Sequence, residues 1–178
     1  MAVTSAPNPG MARISAAIAP CAVICAGVTL VLVERSYREL EVRLAGAILN
    51  AVTRSSVYVA GDRETVYFGL NGTAPFGLRM TPECSSVFLL LPLLLVTALM
   101  LYFRPGRARR LFFSLGISAL AVILVNQLRI FMIFWLIGGL GTDEGYYWGH
   151  TLLGSLVSVF GGAASLVLFV WLATRRSA

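Results

Sequence analysis

Lysine is absent from the 178 residues, so every basic side chain is an arginine, and these gather at the ends of apolar runs rather than along a groove or an aromatic-studded surface. Despite a formal charge of +6, that placement excludes nucleic acid as the expected partner. Cysteine is scarce and odd in number. Cys21 and Cys25 lie one turn apart inside an apolar run, where neither oxidant nor partner is expected, so a disulfide framework is excluded and both are assigned to packing. There is one histidine, His150, and no paired ligand motif outside lipid, which excludes a metal centre; no cofactor is expected. Charge is also scarce. Charged residues make up 12% against 58% hydrophobic, with a mean hydropathy of +0.83, far from a soluble globular composition. The solvent for most of this chain is lipid.

Four stretches are apolar over roughly the 20 helical residues needed to cross a hydrocarbon core of about 30 Å. They are Ile14 to Val33, Ser85 to Phe103, Leu111 to Ile137 and His150 to Ala173. The expected fold is an all-α polytopic membrane protein, one integral domain over 1–178. The first run is read as a retained span, because its apolar length exceeds a signal-peptide core and it ends in Val33-Glu34-Arg35 without a small-residue cleavage site. Arginine placement sets the expected orientation in the cell membrane, with both termini cytoplasmic. Arg13, the cluster Arg104, Arg107, Arg109 and Arg110, and the pair Arg175 and Arg176 then fall in short inner segments. The longer outer segments, 34–84 and 138–149, carry six arginines and all eight acids. Arg35, Arg38 and Arg43 pull the other way, and the inner cluster outweighs them.

The extracytoplasmic segment 34–84 is the one sizeable water-exposed piece. Leu40, Val42, Leu44, Ile48, Leu49 and Val52 form a helical stripe suited to the membrane surface. Beyond Arg54, the short runs Val57-Tyr58-Val59, Val66-Tyr67-Phe68 and Phe76-Gly77-Leu78 are separated by the turn dipeptides Gly61-Asp62 and Asn71-Gly72. They predict a β-ribbon too small to fold unless it packs on the helices.

Three residues on three spans map to the same outer side. Arg129 is the one formal charge within a span, and an arginine there normally faces a bundle interior or water. Asn126, one turn deeper on the same face, is expected to orient the guanidinium or share its ligand. Cys84 stands in Pro82-Glu83-Cys84-Ser85-Ser86, a helix-start pattern in which Ser85 or Ser86 caps the helix and its unsatisfied amides favour a nucleophilic thiol. Glu83 opposes that effect unless it faces away. His150 opens the fourth run after the turn-rich Gly141 to Gly149, with Tyr146, Tyr147 and Trp148 as an interfacial belt. Together they supply a nucleophile (Cys84), an acid and base (His150) and a fixed cation (Arg129) for acyl transfer.

In this pattern the chain resembles the exosortase/archaeosortase family. The matching residues are Glu83-Cys84-Ser85-Ser86 beginning one span, Asn126-Gln127-Leu128-Arg129-Ile130 within the next, and His150 opening the last, over roughly residues 80–175. Ser86 departs from the glycine usual in the family, and four spans are fewer than many members have. The resemblance implies a membrane cysteine protease or transpeptidase whose partner is a C-terminal sorting signal, made of a motif, a transmembrane helix and a basic tail. Catalysis would rest on Cys84, Arg129 and His150, with Asn126 and Ser85 in support. Two competing classes remain at this stage: a scaffold in which Arg129 and Asn126 bind a partner helix or lipid headgroup, and a thiol enzyme acting on lipid-linked substrates.

Overall fold

The computed structural model describes residues 9–53, 58–60, 63–68 and 76–175. Among the described residues, two helical spans are long and apolar enough to cross a membrane, Pro105–Leu140 and Thr142–Thr174. The first consists of a short 3₁₀ turn and helix α4, Ala108–Leu140, whose 33 residues reach about 50 Å at 1.5 Å per residue. The other two expected spans are altered. Helix α1, Pro9–Leu32, meets α2, Glu34–Thr53, at a bend of 76°, and the two qualify only as one broken pair. Helix α3, Val87–Phe103, has 17 residues and is shorter than the expected Ser85 to Phe103. The cause is local: Pro82–Cys84 form a 3₁₀ turn, and Ser85 and Ser86 spend their polar groups on α2 before the helix begins.

Helix α2 occupies the place of the expected amphipathic stripe, but the stripe divides between two faces. Val42, Ala45 and Leu49 are buried, whereas Leu40, Leu44, Ile48 and Val52, four residues apart, are exposed. One helix thus offers an apolar row to the protein and another to its surroundings, with Arg38 and Glu41 buried on the inner side.

The ribbon is a three-stranded antiparallel sheet in the order β1-β2-β3, formed by Tyr58–Ala60, Thr65–Phe68 and Phe76–Arg79. Both predicted turn dipeptides, Gly61-Asp62 and Asn71-Gly72, lie outside the described residues. Val66 pairs with Leu78, and both point inward to a cluster with Val42, Leu49, Met80, Ile130 and Ile133. Charge fastens the sheet to α2. Arg38 Nη1 lies 3.2 Å from Glu64 Oε2 and donates to the Met80 carbonyl at 3.3 Å, while Glu34 lies on its other side. Glu64 adopts φ 52, a left-handed conformation that this anchoring stabilises.

The turn-rich reading of Gly141 to Gly149 is corrected. Gly141, at φ 88, is the only break, and the chain then runs through α5 (Thr142–Tyr146), a π-helical turn (Tyr147–Leu153) and α6 (Gly154–Thr174). His150 therefore sits inside a continuous helical span instead of opening one. Glycine lets this span press against α4. A Cβ on Gly145 would come within 2.5 Å of the Ile137 Cα, and one on Gly149 within 3.1 Å of the Ile133 Cα. Small residues on one face permit such close backbone approach where lipid supplies little hydrophobic drive.

Candidate active site

Cys84 Sγ and His150 Nε2 are 2.9 Å apart, although 66 residues separate them in the chain. Cys84 is buried at the end of its 3₁₀ turn, fixed by a backbone hydrogen bond from its N–H to the Thr81 carbonyl. The Thr81 hydroxyl donates to the sulfur at 3.4 Å. His150 comes from the opposite side. The π-helical turn carries one more residue per hydrogen-bonded loop than an α-helix, which rotates the side chains beyond it, a device frequent at functional sites. Tyr146 stacks on the imidazole with centroids 4.9 Å apart and planes 9° from parallel, holding its orientation. Sulfur and nitrogen are thus placed for proton exchange. The Glu83 side chain lies outside the described part of the structure, and with it the expected opposition to the thiolate.

Arg129 is buried at 5% exposure, inside the bundle. Its Nη1 donates to Ser158 Oγ at 2.8 Å, and Ser158 in turn donates to the Gly154 carbonyl. Gly154 makes room for the guanidinium: a Cβ there would stand 2.9 Å from Arg129 Nε and 2.6 Å from the Gly149 carbonyl oxygen. Arg129 also lines the same small cavity as Cys84 and His150. The three expected catalytic residues are therefore brought together, with the cation anchored to α6.

The expected role of Asn126 is corrected. Its amide does not serve Arg129; Nδ2 donates to Glu41 Oε1 at 3.0 Å. Glu41 is the organising group that the sequence reading missed. Its Oε2 accepts the Ser85 hydroxyl at 2.8 Å, and the Ser86 N–H reaches both oxygens at 3.2 and 3.3 Å. Ser86 is also bonded through its hydroxyl to Tyr37 at 2.8 Å. Ser86 thus ties the segment after Cys84 to α2, and the Ser85 oxygen accepts the Val87 N–H at 3.3 Å as helix α3 begins. Burial pushes the Glu41 carboxyl above its ordinary range, against the downward pull of bonds from Ser86, Ser85 and Asn126. One carboxylate joins α2, the residues after Cys84, and α4. Within the sequence, its only sign was an acid on the apolar flank of an amphipathic helix.

The cavity at the thiol has a volume of about 20 Å³, and besides Cys84, Arg129 and His150 it is lined by residues of α2 (Val42, Ala45), of the sheet and the chain just after it (Val66, Leu78, Arg79, Met80) and of α4 (Ile130, Ile133). That is room for about one water molecule. Among the described residues no cluster of histidine, cysteine and carboxylate side chains is suited to a metal. No family model, no curated protein and no solved structure matches the chain.

Proposed function

We propose that this protein is a membrane-embedded cysteine peptidase or transpeptidase of the exosortase/archaeosortase kind, acting on a polypeptide sorting signal at the outer face of a cell membrane. The observation that carries the reading is the 2.9 Å contact between Cys84 Sγ and His150 Nε2, made by residues from different ends of the resemblance. In the reaction, the sulfur attacks the scissile carbonyl as its proton passes to Nε2; the C–N bond then breaks and the same proton leaves on the amine. Water or an acceptor amine attacks the thioester, returns its proton through His150 and frees the thiol. Arg129, in a low-dielectric interior, offers positive charge to the oxyanion. The topology belonging to this reading has four spans, with α3 as the short one, both termini cytoplasmic and 34–84 outside.

The Arg129 bond to Ser158 favours a second role for that residue, as a staple between α4 and α6. Arg129→Lys separates the roles: a lysine keeps the charge but loses the planar fork, so a staple is weakened more than an electrostatic effect. The function itself is tested by trapping. In membranes expressing the chain with a secreted protein ending in motif, apolar helix and basic tail, the native enzyme should yield a thioester to a truncated polypeptide and Cys84→Ala none. Normal cleavage by Cys84→Ala would reject the enzyme and favour the scaffold. For the topology, a cysteine at Asn71 in a background lacking the native cysteines should react with an impermeant thiol reagent in intact cells; labelling only after lysis would reverse the orientation.

A further inference from the structure

The cavity at the thiol, about 20 Å³, is too small to hold a polypeptide, and the sheet that lines it offers a place for one. We infer that the free edge of β3 is the docking strand for the substrate: an extended peptide adds as a fourth strand and brings its carbonyl to Cys84. This rests on the peptidase reading above.

The sheet order makes β3 an edge. Helix α2 packs on β1 and β2; among the described strands β3 pairs with β2 alone, and its inner side rests on α4, where Phe76 stacks on Phe134. Register then decides which backbone groups are free. The Met80 N–H donates to the Glu64 carbonyl at 2.8 Å, continuing the ladder in which Thr65 faces Arg79 and Val66 faces Leu78. In an antiparallel pair, hydrogen-bonded and non-bonded positions alternate. Leu78 and Phe76 therefore spend their N–H and C=O groups on β2, while Gly77 and Arg79 turn theirs to the open edge. Natural sheets blunt such edges with short strands, charged side chains, proline or bulges. β3 has four residues and one charge, Arg79, which selects among partners; neither proline nor bulge stands in Phe76–Arg79, and Gly77 has no side chain to hinder an approaching strand.

The edge leads to the nucleophile. Leu78, Arg79 and Met80 line the cavity with Cys84 and His150, and the chain passes from Met80 through Thr81 directly into the 3₁₀ turn that carries the thiol. An added strand would place alternate side chains on the inner face, beside Leu78, and the others beside Arg79. Arg79 is exposed and forms no ion pair among the described residues. The occupant is thus an extended segment, apolar at alternate positions, with a carboxylate opposite Arg79; strand addition supplies affinity through the backbone and selectivity through alternate side chains.

The test changes the peptide, so the fold of the protein is not at risk. The full chain in lipid nanodiscs is alkylated with tetrapeptidyl chloromethyl ketones, apolar at alternate residues and carrying aspartate or asparagine between them, with chloroacetamide as the reference. N-methylation is moved one residue at a time along the peptide. The expected result is a period of two: methylation at alternate residues slows Cys84 alkylation about tenfold, the size of effect of one lost hydrogen bond, and methylation at the others does not. Aspartate should react faster than asparagine with the native chain and not with Arg79→Ala. Uniform or absent sensitivity to methylation would overturn the docking strand, as would protection of the edge by a second copy of the chain at rising protein density. Failure of the peptidase reading looks different. There, peptidyl reagents would label Cys84 no faster than chloroacetamide does, and His150→Ala would slow neither reagent.

Discussion

The protein holds two apolar clusters that differ in what they enclose. In one, Val23, Leu93, Leu101, Leu111, Val122 and Phe169 bring α1, α3, α4 and α6 together without a charged side chain among them. In the other, Val42, Leu49, Val66, Leu78, Met80, Ile130 and Ile133 surround Cys84, and Glu41, Ser85, Ser86 and Asn126 are buried close by. The first depends on shape, since lipid is as apolar as leucine and gives helices little reason to associate except packing. The second depends on directed hydrogen bonds between parts distant in sequence. Substitutions should therefore be absorbed in the first and amplified in the second.

The largest contrast concerns chemistry. On the proposed reading, Cys84→Ala and His150→Ala should each abolish acyl transfer, and the double variant should be little worse than either, because residues that act as one unit lose their function together. Phe169→Leu, in the helical cluster, should keep transfer within a few-fold. The measurement is thioester formation at matched membrane levels; additive losses at Cys84 and His150 would show that the 2.9 Å contact is not a working unit.

Next comes Glu41. Its removal by Glu41→Ala leaves the Ser85 hydroxyl, the Ser86 N–H and the Asn126 amide without their acceptor, all of them buried. At about 1–3 kcal/mol for each buried polar group orphaned, the loss should exceed about 3 kcal/mol. Glu41→Gln keeps one acceptor oxygen and avoids a buried charge, so it should cost about half as much. Thermal unfolding in nanodiscs checks both, and equal melting of Glu41→Ala and native protein would remove Glu41 from its organising position.

Glycine provides a milder comparison. A Cβ at Gly154 meets a backbone carbonyl oxygen at 2.6 Å, which cannot turn aside, and the Arg129 guanidinium at 2.9 Å. At Gly162 the nearest atom is the end of the Leu89 side chain at 3.1 Å, which can turn aside. Gly154→Ala should destabilise by about 1–3 kcal/mol and reduce activity further by displacing Arg129. Gly162→Ala should change stability by less than about 1 kcal/mol, with the gain in helix propensity offsetting the contact. Similar melting points for the two would mean that the tolerance of the bundle extends to the site.

Much of the helical cluster could be read in the sequence, because long apolar runs report their solvent directly. The helix over Tyr37 to Val52, the three strands and the meeting of Cys84, Arg129 and His150 were also legible from pattern and expected depth. The π-helical turn at Tyr147–Leu153 was not: Gly141, Gly145 and Gly149 signal turns by composition, whereas here only Gly141 breaks the helix and the other two admit α4. Asn126 was paired with Arg129 because they share a helical face, but α2 crosses that face and its Glu41 is 85 residues away from Asn126. Periodicity finds partners one turn apart and is blind to those delivered by another element. The same blindness split the α2 stripe, since an apolar residue facing lipid and one facing protein look alike in sequence.

The smallest effect tests whether the second cluster's sensitivity extends to its rim. Arg35 and Arg38 both approach Glu64, at 3.3 and 3.2 Å, so a count of ion pairs would rank them together. Their surroundings do not. The Arg35 side chain is 72% exposed, where water screens the pair and a long side chain loses entropy when held in one geometry. Arg38 is buried, lies 2.7 Å from Glu34 and also donates to the Met80 carbonyl, so it joins α2 to the end of β3. Arg35→Ala should therefore cost about 0.5 kcal/mol or less and fade further at high salt, since exposed pairs are screened within about 10 Å at 0.1 M. Arg38→Ala leaves Glu64 buried with a single exposed partner and should cost several times more. Melting of both variants at low and high salt decides the matter: a large, salt-independent loss in Arg35→Ala would place the rim inside the site's cooperative unit.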